Sequence, residues 1–237
     1  MHILITRPKS DAAALAQELA GLGHDVTIEP LLQVKFLALP PLDLGNAQAL
    51  LFTSANGVRA FAQADGRRNI TAFAVGQATA RAAQNAGFEQ VFAAGGDVAS
   101  LAETVGRTLP PPARLIHIAG SVQAGDLKGD LAARGYDVDR KVLYEATATE
   151  SLSKETQDKI KGRKIDIILF FSPRTAQIFC KLVDRHRLGD YLDHATAACL
   201  SLSVRDILHS LPWRRIVVAK RPTQPDLLVA AGLRTSD

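Results

Sequence analysis

The chain of 237 residues is poor in several things, and each shortage excludes something. Only two cysteines occur, Cys180 and Cys199. That is too few for a disulfide framework, and free thiols in a reducing compartment are expected. No apolar run approaches the roughly 20 residues that a membrane helix needs, and the opening MHILITRPK offers no signal-peptide core. A cytoplasmic protein without a membrane partner is therefore expected. The formal charge is only +4, and no Lys/Arg run has the density of a nucleic-acid arm, so no nucleic-acid partner is expected.

Recognisable cofactor and nucleophile motifs are also missing. There is no GxGxxG after the first apolar run and no GxxxxGK[ST], so a dinucleotide or triphosphate has no cradle. The six histidines show no metal-ligand spacing, and His117 reads as a core residue within a strand. No GxSxG elbow is present. No metal and no cofactor are expected. AKRPTQPDLL resembles the end of a receiver domain, but the run that should carry a phosphoacceptor ends Phe170-Phe171-Ser172, and that reading fails.

What is present is a repeat. ILITRPKSDAAALAQELAGLGHDV and LIHIAGSVQAGDLKGDLAARGYDV align without a gap, 112 positions apart (115 − 3), with Leu15 on Leu127, Gly23 on Gly135 and Val26 on Val138. Each copy reads as a buried strand, a helix with one apolar face, a glycine C-cap and a second strand. LLFTSANGVRAFAQ is matched by IILFFSPRTAQIFCKLV, TAFAVGQATARAAQNAG by TAACLSLSVRDILHSL, and QVFAAGG by RIVVAKRP. Alternating βα units predict parallel sheets covered by helices.

The repeat predicts two five-stranded halves. Residues 1–35 and 147–237 form one domain and 39–142 an inserted second, with linkers at about 30–40 and 141–149 pairing as a two-stranded hinge. A contiguous split near 112–114, at PPPA, is the alternative. Ligands of such sheets bind outside the carboxyl ends of the strands. The loops there are Thr6-Arg7-Pro8, Thr53-Ser54-Ala55-Asn56-Gly57, Gly76-Gln77-Ala78-Thr79, Ala94-Gly95-Gly96-Asp97 and Ala119-Gly120-Ser121. From the other half come Phe171-Ser172-Pro173-Arg174, Ser201-Leu202-Ser203 and Lys220-Arg221-Pro222. Small hydroxyl residues, glycine and a few cations suit an anionic small molecule, although Ser and Thr also serve as ordinary helix caps.

ILITRP, LLFTSANGV, AVGQATA, GYDV…VLYEAT and FFSPRTA, in this order, closely resemble the uroporphyrinogen-III synthase family over essentially the whole chain. The resemblance implies two flavodoxin-like α/β domains joined by a two-stranded linker, the second inserted in the first. It implies closure of linear hydroxymethylbilane to uroporphyrinogen III, with ring D inverted through a spiro intermediate and water released, by a monomer that needs no cofactor. Tyr144 matches the family tyrosine and is the expected donor to the departing hydroxyl. Thr53, Ser54, Thr79 and Ser172 match the hydroxyl loop positions. Arg7, Asn56, Gly76, Ser121, Pro173, Ser201 and Ser203 complete the expected binding set, with help from Arg174, Lys220 and Arg221. LSLSVRD departs from the family's Gly-Pro-x-Thr-Ala, which leaves the register of Ser201 and Ser203 open. Asp97 and Glu145 are candidate acids that nothing singles out. A two-lobed anion-binding or sensor protein and a non-catalytic scaffold remain alternatives.

Overall fold

The computed structural model describes residues 1–38, 40–122 and 125–235. Contacts divide the chain into two units, Met1–Gln33 with Thr147–Asp237, and Val34–Ala146. The first, terminal unit holds β1 (His2–Ile5), β2 (Asp25–Ile28), β9 (Ile167–Phe170), β10 (Thr196–Cys199) and β11 (Arg215–Val218) in the order β11-β10-β9-β1-β2, all parallel. The inserted unit carries β4 (Ala49–Phe52), β5 (Thr71–Ala74), β6 (Val91–Ala93), β7 (Arg114–Gly120) and β8 (Asp137–Ala148) in the parallel order β8-β7-β4-β5-β6.

Both orders are the flavodoxin-like 2-1-3-4-5, entered at different points. The repeated segments, β1 with β2 and β7 with β8, occupy the same two positions in their sheets. In the inserted unit the chain enters at the third position instead of the first. β3 (Leu32–Phe36) adds an eleventh strand at the β8 edge. The Leu37 amide donates to the Leu143 carbonyl at 2.9 Å and the Thr149 amide to the Leu31 carbonyl at 3.1 Å, so β3 and β8 run antiparallel. DVDRKV and VLYEATA thus form one continuous 12-residue strand.

The central strands of these sheets are buried on two apolar faces because helices cover both sides. Leu4, Ile168 and Phe170 face one core of the terminal unit, while Ile3, Ile5 and Leu169 face the other. Leu50, Phe52, Ile116 and Ile118 face one core of the inserted unit, and Leu51, Phe73 and Leu115 the other. The helices follow their strands: α1 (Lys9–Gly21), α2 (Ala55–Ala64), α3 (Gln77–Asn85), α4 (Val98–Thr108), α5 (Leu127–Ala132), α6 (Lys154–Lys161), α7 (Pro173–Arg185), α8 (Leu202–Leu208) and α9 (Gln224–Ala230). Gly23 and Gly135 end their helical segments at φ of 80° and 88°, which non-glycine residues rarely adopt.

KETQDKIK, α6, escapes a reading by apolar periodicity because only Thr156 and Ile160 are buried. It is held by a polar joint. Glu29, 5 % exposed at the end of β2, accepts from the Ser153 amide at 3.1 Å and hydroxyl at 2.5 Å and from the Thr156 hydroxyl. A buried carboxylate is tolerated here because its oxygens are bonded. Both cysteines are free, and burial pushes the Cys199 thiol up to about 12. No helix among the described residues is long and apolar enough to cross a membrane.

Candidate active site

Where β4, β5 and β6 of the inserted unit reach their carboxyl ends, their loops surround a cavity of about 500 Å³. Its floor is the sheet face of Thr53, Val75, His117 and Ala119, and its rim is Ser54, Gly96, Asp97, Val98, Gly120, Val122, Gly125 and Tyr144. The rim is shaped by helix caps. Ser54 precedes α2 and accepts from the Asn56 amide at 3.1 Å. Asp97 precedes α4 and accepts from the Ser100 amide at 2.8 Å, while Ser100 bonds back to close a capping box. That amide bond holds the Asp97 carboxyl below its ordinary value, so it is charged at neutral pH.

His117 lies in the middle of β7 and is 1 % exposed. Its Nε2 stands 3.1 Å from the Thr53 hydroxyl. Its Nδ1 is buried and has no partner among the described residues. Desolvation, then the neighbouring Arg140 charge, lowers its pKa from 6.5 to about 4, so the ring is neutral in the ordinary range. Arg140 itself donates to the Gly120 carbonyl at 2.5 Å.

The depressed His117 pKa has a consequence for acid stability. The unfolded ring takes up its proton below 6.5, whereas the folded ring does so only near 4. Stability therefore falls as pH drops through that window, levels off below it, and costs on the order of 3 kcal/mol in all. Urea unfolding of the full chain at pH 7 and at 4.5 should show this loss in the wild type. It should be smaller by a kcal/mol or more in His117→Gln, and equal losses in both proteins would refute the assignment.

Tyr144 comes from β8 and is 8 % exposed. Its ring lies against Gly120, where an added Cβ would stand 2.8 Å from ring carbons Cε2 and Cζ and 3.1 Å from the hydroxyl. Gly120 is thus a glycine to make room for the tyrosine. The Tyr144 hydroxyl has no hydrogen-bond partner among the described residues.

Of the residues expected from the sequence, the cavity gathers Thr53, Ser54 and Tyr144. Asn56 instead accepts from Arg59 at 2.6 Å. Gly76 caps α3 without lining the cavity, and Thr79 is 6 % exposed on the first turn of that helix. Ser121 is exposed, its amide donating to the Tyr144 carbonyl at 2.9 Å. His117 was expected to be a fully bonded core residue, yet only Nε2 is engaged. Its place in β7, level with Leu51 of β4 and so two positions short of Thr53 on the neighbouring strand, was the signal available.

The remaining candidates belong to the terminal unit. Arg7, after β1, stacks over the Phe171 ring at 4.5 Å and donates to the Gln224 side chain at 3.3 Å. Ser172 and Pro173 open α7, with Ser172 accepting from the Thr175 amide at 3.2 Å. Ser201 and Ser203 bond each other at 2.9 Å before and within α8. Lys220 and Arg221 follow β11 and are exposed, and Arg221 donates to Asp226 at 3.1 Å. Among the described residues, no group of three or more His, Cys, Asp or Glu is placed to hold a metal ion.

Comparison with known proteins adds four findings. The uroporphyrinogen-III synthase of Chlorobaculum parvum is 25 % identical over 203 residues, which are 79 % of this chain and 81 % of that protein. Uroporphyrinogen-III synthetase from Helicobacter pylori has the same fold, with a TM-score of 0.67 at 20 % identity over 98 % of this chain and 99 % of the other. A variant of the Thermus thermophilus enzyme gives 0.53 at 19 % identity, over 98 % and 96 %. The family described as Uroporphyrinogen-III synthase HemD matches residues 13–229, nearly the whole chain, and this chain belongs to that family.

Proposed function

We propose that this chain closes hydroxymethylbilane to uroporphyrinogen III, with the cavity of the inserted unit as the place of the chemistry and Tyr144 as the donor to the departing hydroxyl. Family membership supports the reaction class, a cyclising lyase. The observation that carries the site is the Tyr144 hydroxyl, unbonded among the described residues on the rim of a cavity whose floor holds Thr53. When the terminal C–O bond breaks, hydroxide is a poor leaving group, and a hydrogen bond or proton from the phenol lets it depart as water. The cation left on the exocyclic carbon of the terminal ring that carried the hydroxyl is attacked by the substituted carbon of ring D, which forms the spiro intermediate. The original bond from that ring D carbon to the methylene bridge of the preceding ring then breaks. The unsubstituted carbon of ring D bonds the freed methylene so that the ring is inverted, and the proton it loses restores the one given to the departing water.

Closure without inversion competes spontaneously, so the enzyme's main contribution is control of conformation. The strand-end cations of the terminal unit, Arg7, Arg174, Lys220 and Arg221, suit the acetate and propionate groups of such a substrate. We read the protein further as a cytoplasmic monomer without a nucleic-acid partner or cofactor, in keeping with its two free thiols and the lack of a basic run.

Incubation with freshly generated hydroxymethylbilane and chromatographic separation of the isomers tests the activity. The type III isomer should dominate. A mixture dominated by type I, as in the enzyme-free control, would reject it and favour a ligand-binding protein of the same architecture.

A further inference from the structure

The cavity of the inserted unit has an unexpected charge pattern. Loops rich in hydroxyls and amides suggested receptors for carboxylates, yet among the described residues no lysine or arginine lines it; Arg140, whose charge reaches His117, donates to the Gly120 carbonyl. Among the described lining residues the one charged side chain is Asp97, whose sign repels a carboxylate. Val75, Val98, Ala119 and Val122 supply an apolar wall. Among the described lining residues the neutral polar side chains are Ser54, whose oxygen caps α2, and Thr53, His117 and Tyr144.

Within this frame the Thr53–His117 pair is poised for a neutral ligand group. Either ring tautomer leaves the same result. With the proton on Nε2, that nitrogen donates to the Thr53 oxygen, leaving the Thr53 O–H to donate and Nδ1 to accept. With the proton on Nδ1, Thr53 donates to Nε2, leaving Nδ1–H to donate and the Thr53 oxygen to accept. Each way, the pair keeps one donor and one acceptor unspent. A buried, unbonded ring nitrogen costs about 1–3 kcal/mol, which a bound group can recover.

We propose, resting on the functional reading above, that His117 is a positioning residue: it fixes the Thr53 hydroxyl, and the pair, which lines the same cavity as Tyr144, receives the ring N–H and departing hydroxyl of the terminal pyrrole that carries the hydroxymethyl group, in place of a carboxylate. A pyrrole offers a donor on a flat apolar ring, and the leaving hydroxyl offers an acceptor. The apolar wall and the donor–acceptor pair match both, and Asp97 on the rim turns the acidic arms outward. Holding that ring by its N–H also sets how its exocyclic carbon is presented to ring D, so the pair bears on isomer choice as well as on rate.

Steady-state kinetics with isomer analysis tests this in the full chain. For His117→Phe, kcat should fall about tenfold or more and the type I share should rise, with KM within about threefold of the wild type. Thr53→Val should reproduce both effects. His117→Gln should keep an isomer ratio nearer the wild type, because its side-chain amide reaches the Thr53 hydroxyl from where Nε2 stands. Circular dichroism checks the fold of each variant, and should His117→Phe not fold, the other two carry the comparison. Wild-type kcat and isomer ratio in Thr53→Val together with His117→Phe would overturn the proposal. So would a large rise in KM at unchanged kcat, which would place a carboxylate there. A wild type that itself yields type I overturns the functional reading and this inference with it, whereas a normal wild type beside indifferent variants overturns the inference alone.

Discussion

Tyr144→Phe should lower the rate of type III formation about tenfold to hundredfold, the range expected when one positioned donor is lost and the ring that carries it stays. The ring packs with Leu143 in the core on one side of the inserted sheet, and the hydroxyl bonds no other described residue. Its removal therefore leaves no native partner stranded, and the thermal midpoint should move little. A second route reaches the same group without touching it. Gly120→Ala puts a methyl 2.8 Å from the ring carbons, and the ring must swing away from its place on the cavity rim. Its turnover should fall at least as far as that of Tyr144→Phe. Undiminished turnover in both variants would remove Tyr144 from the reaction, leaving the family assignment untouched.

Phe52→Ala should be the most destabilising single change, by about 3–5 kcal/mol. Phe52 is fully buried at the end of β4, edge-on to Phe61 at 6.1 Å and to Phe88 at 5.6 Å. The site collapses poorly because α2 already rests on the sheet. A Cβ at Gly57 would lie 3.0 Å from the Ile118 carbonyl oxygen and 3.6 Å from the Phe52 ring, so the helix cannot move closer to fill the void. Against a total of about 5–15 kcal/mol for a domain, the loss brings the inserted unit near its unfolding limit. Because Thr53 follows directly, activity should fade at the same denaturant concentration as structure. Urea titration followed by circular dichroism measures the loss, and a shift below about 1 kcal/mol would contradict the close packing described.

Much of the architecture can be read from residues alone, for identifiable reasons. Parallel strands buried on both faces announce themselves as unbroken apolar runs such as ALLF and IILF. Gly23 and Gly135 punctuate their helices because a left-handed turn leaves little choice of residue. The sequence pairs, LLFTSANGV with FFSPRTA and AVGQATA with CLSLSV, occupy equivalent places in the two sheets. Other features leave no periodic trace. α6 is held by a carboxylate 127 residues away from Thr156, and the long β8 reads locally as a strand followed by a linker.

The same distinction governs the site. Hydroxyl loops at strand ends are visible in sequence because strand–turn–helix junctions fix where they lie. Whether a given hydroxyl caps a helix or faces a cavity depends on side-chain geometry, which separates Ser172 from Thr53. The role of His117 depends on Thr53, 64 residues earlier, and on its register with β4. Local chemistry, the strand, the cap and the turn, is thus determined by the sequence itself, since each depends on residues within a few positions. Tertiary structure alone decides which strands share a sheet, which polar atoms are left unpaired and which charges are missing from a cavity. Those are sums over distant neighbours, and no local pattern contains them.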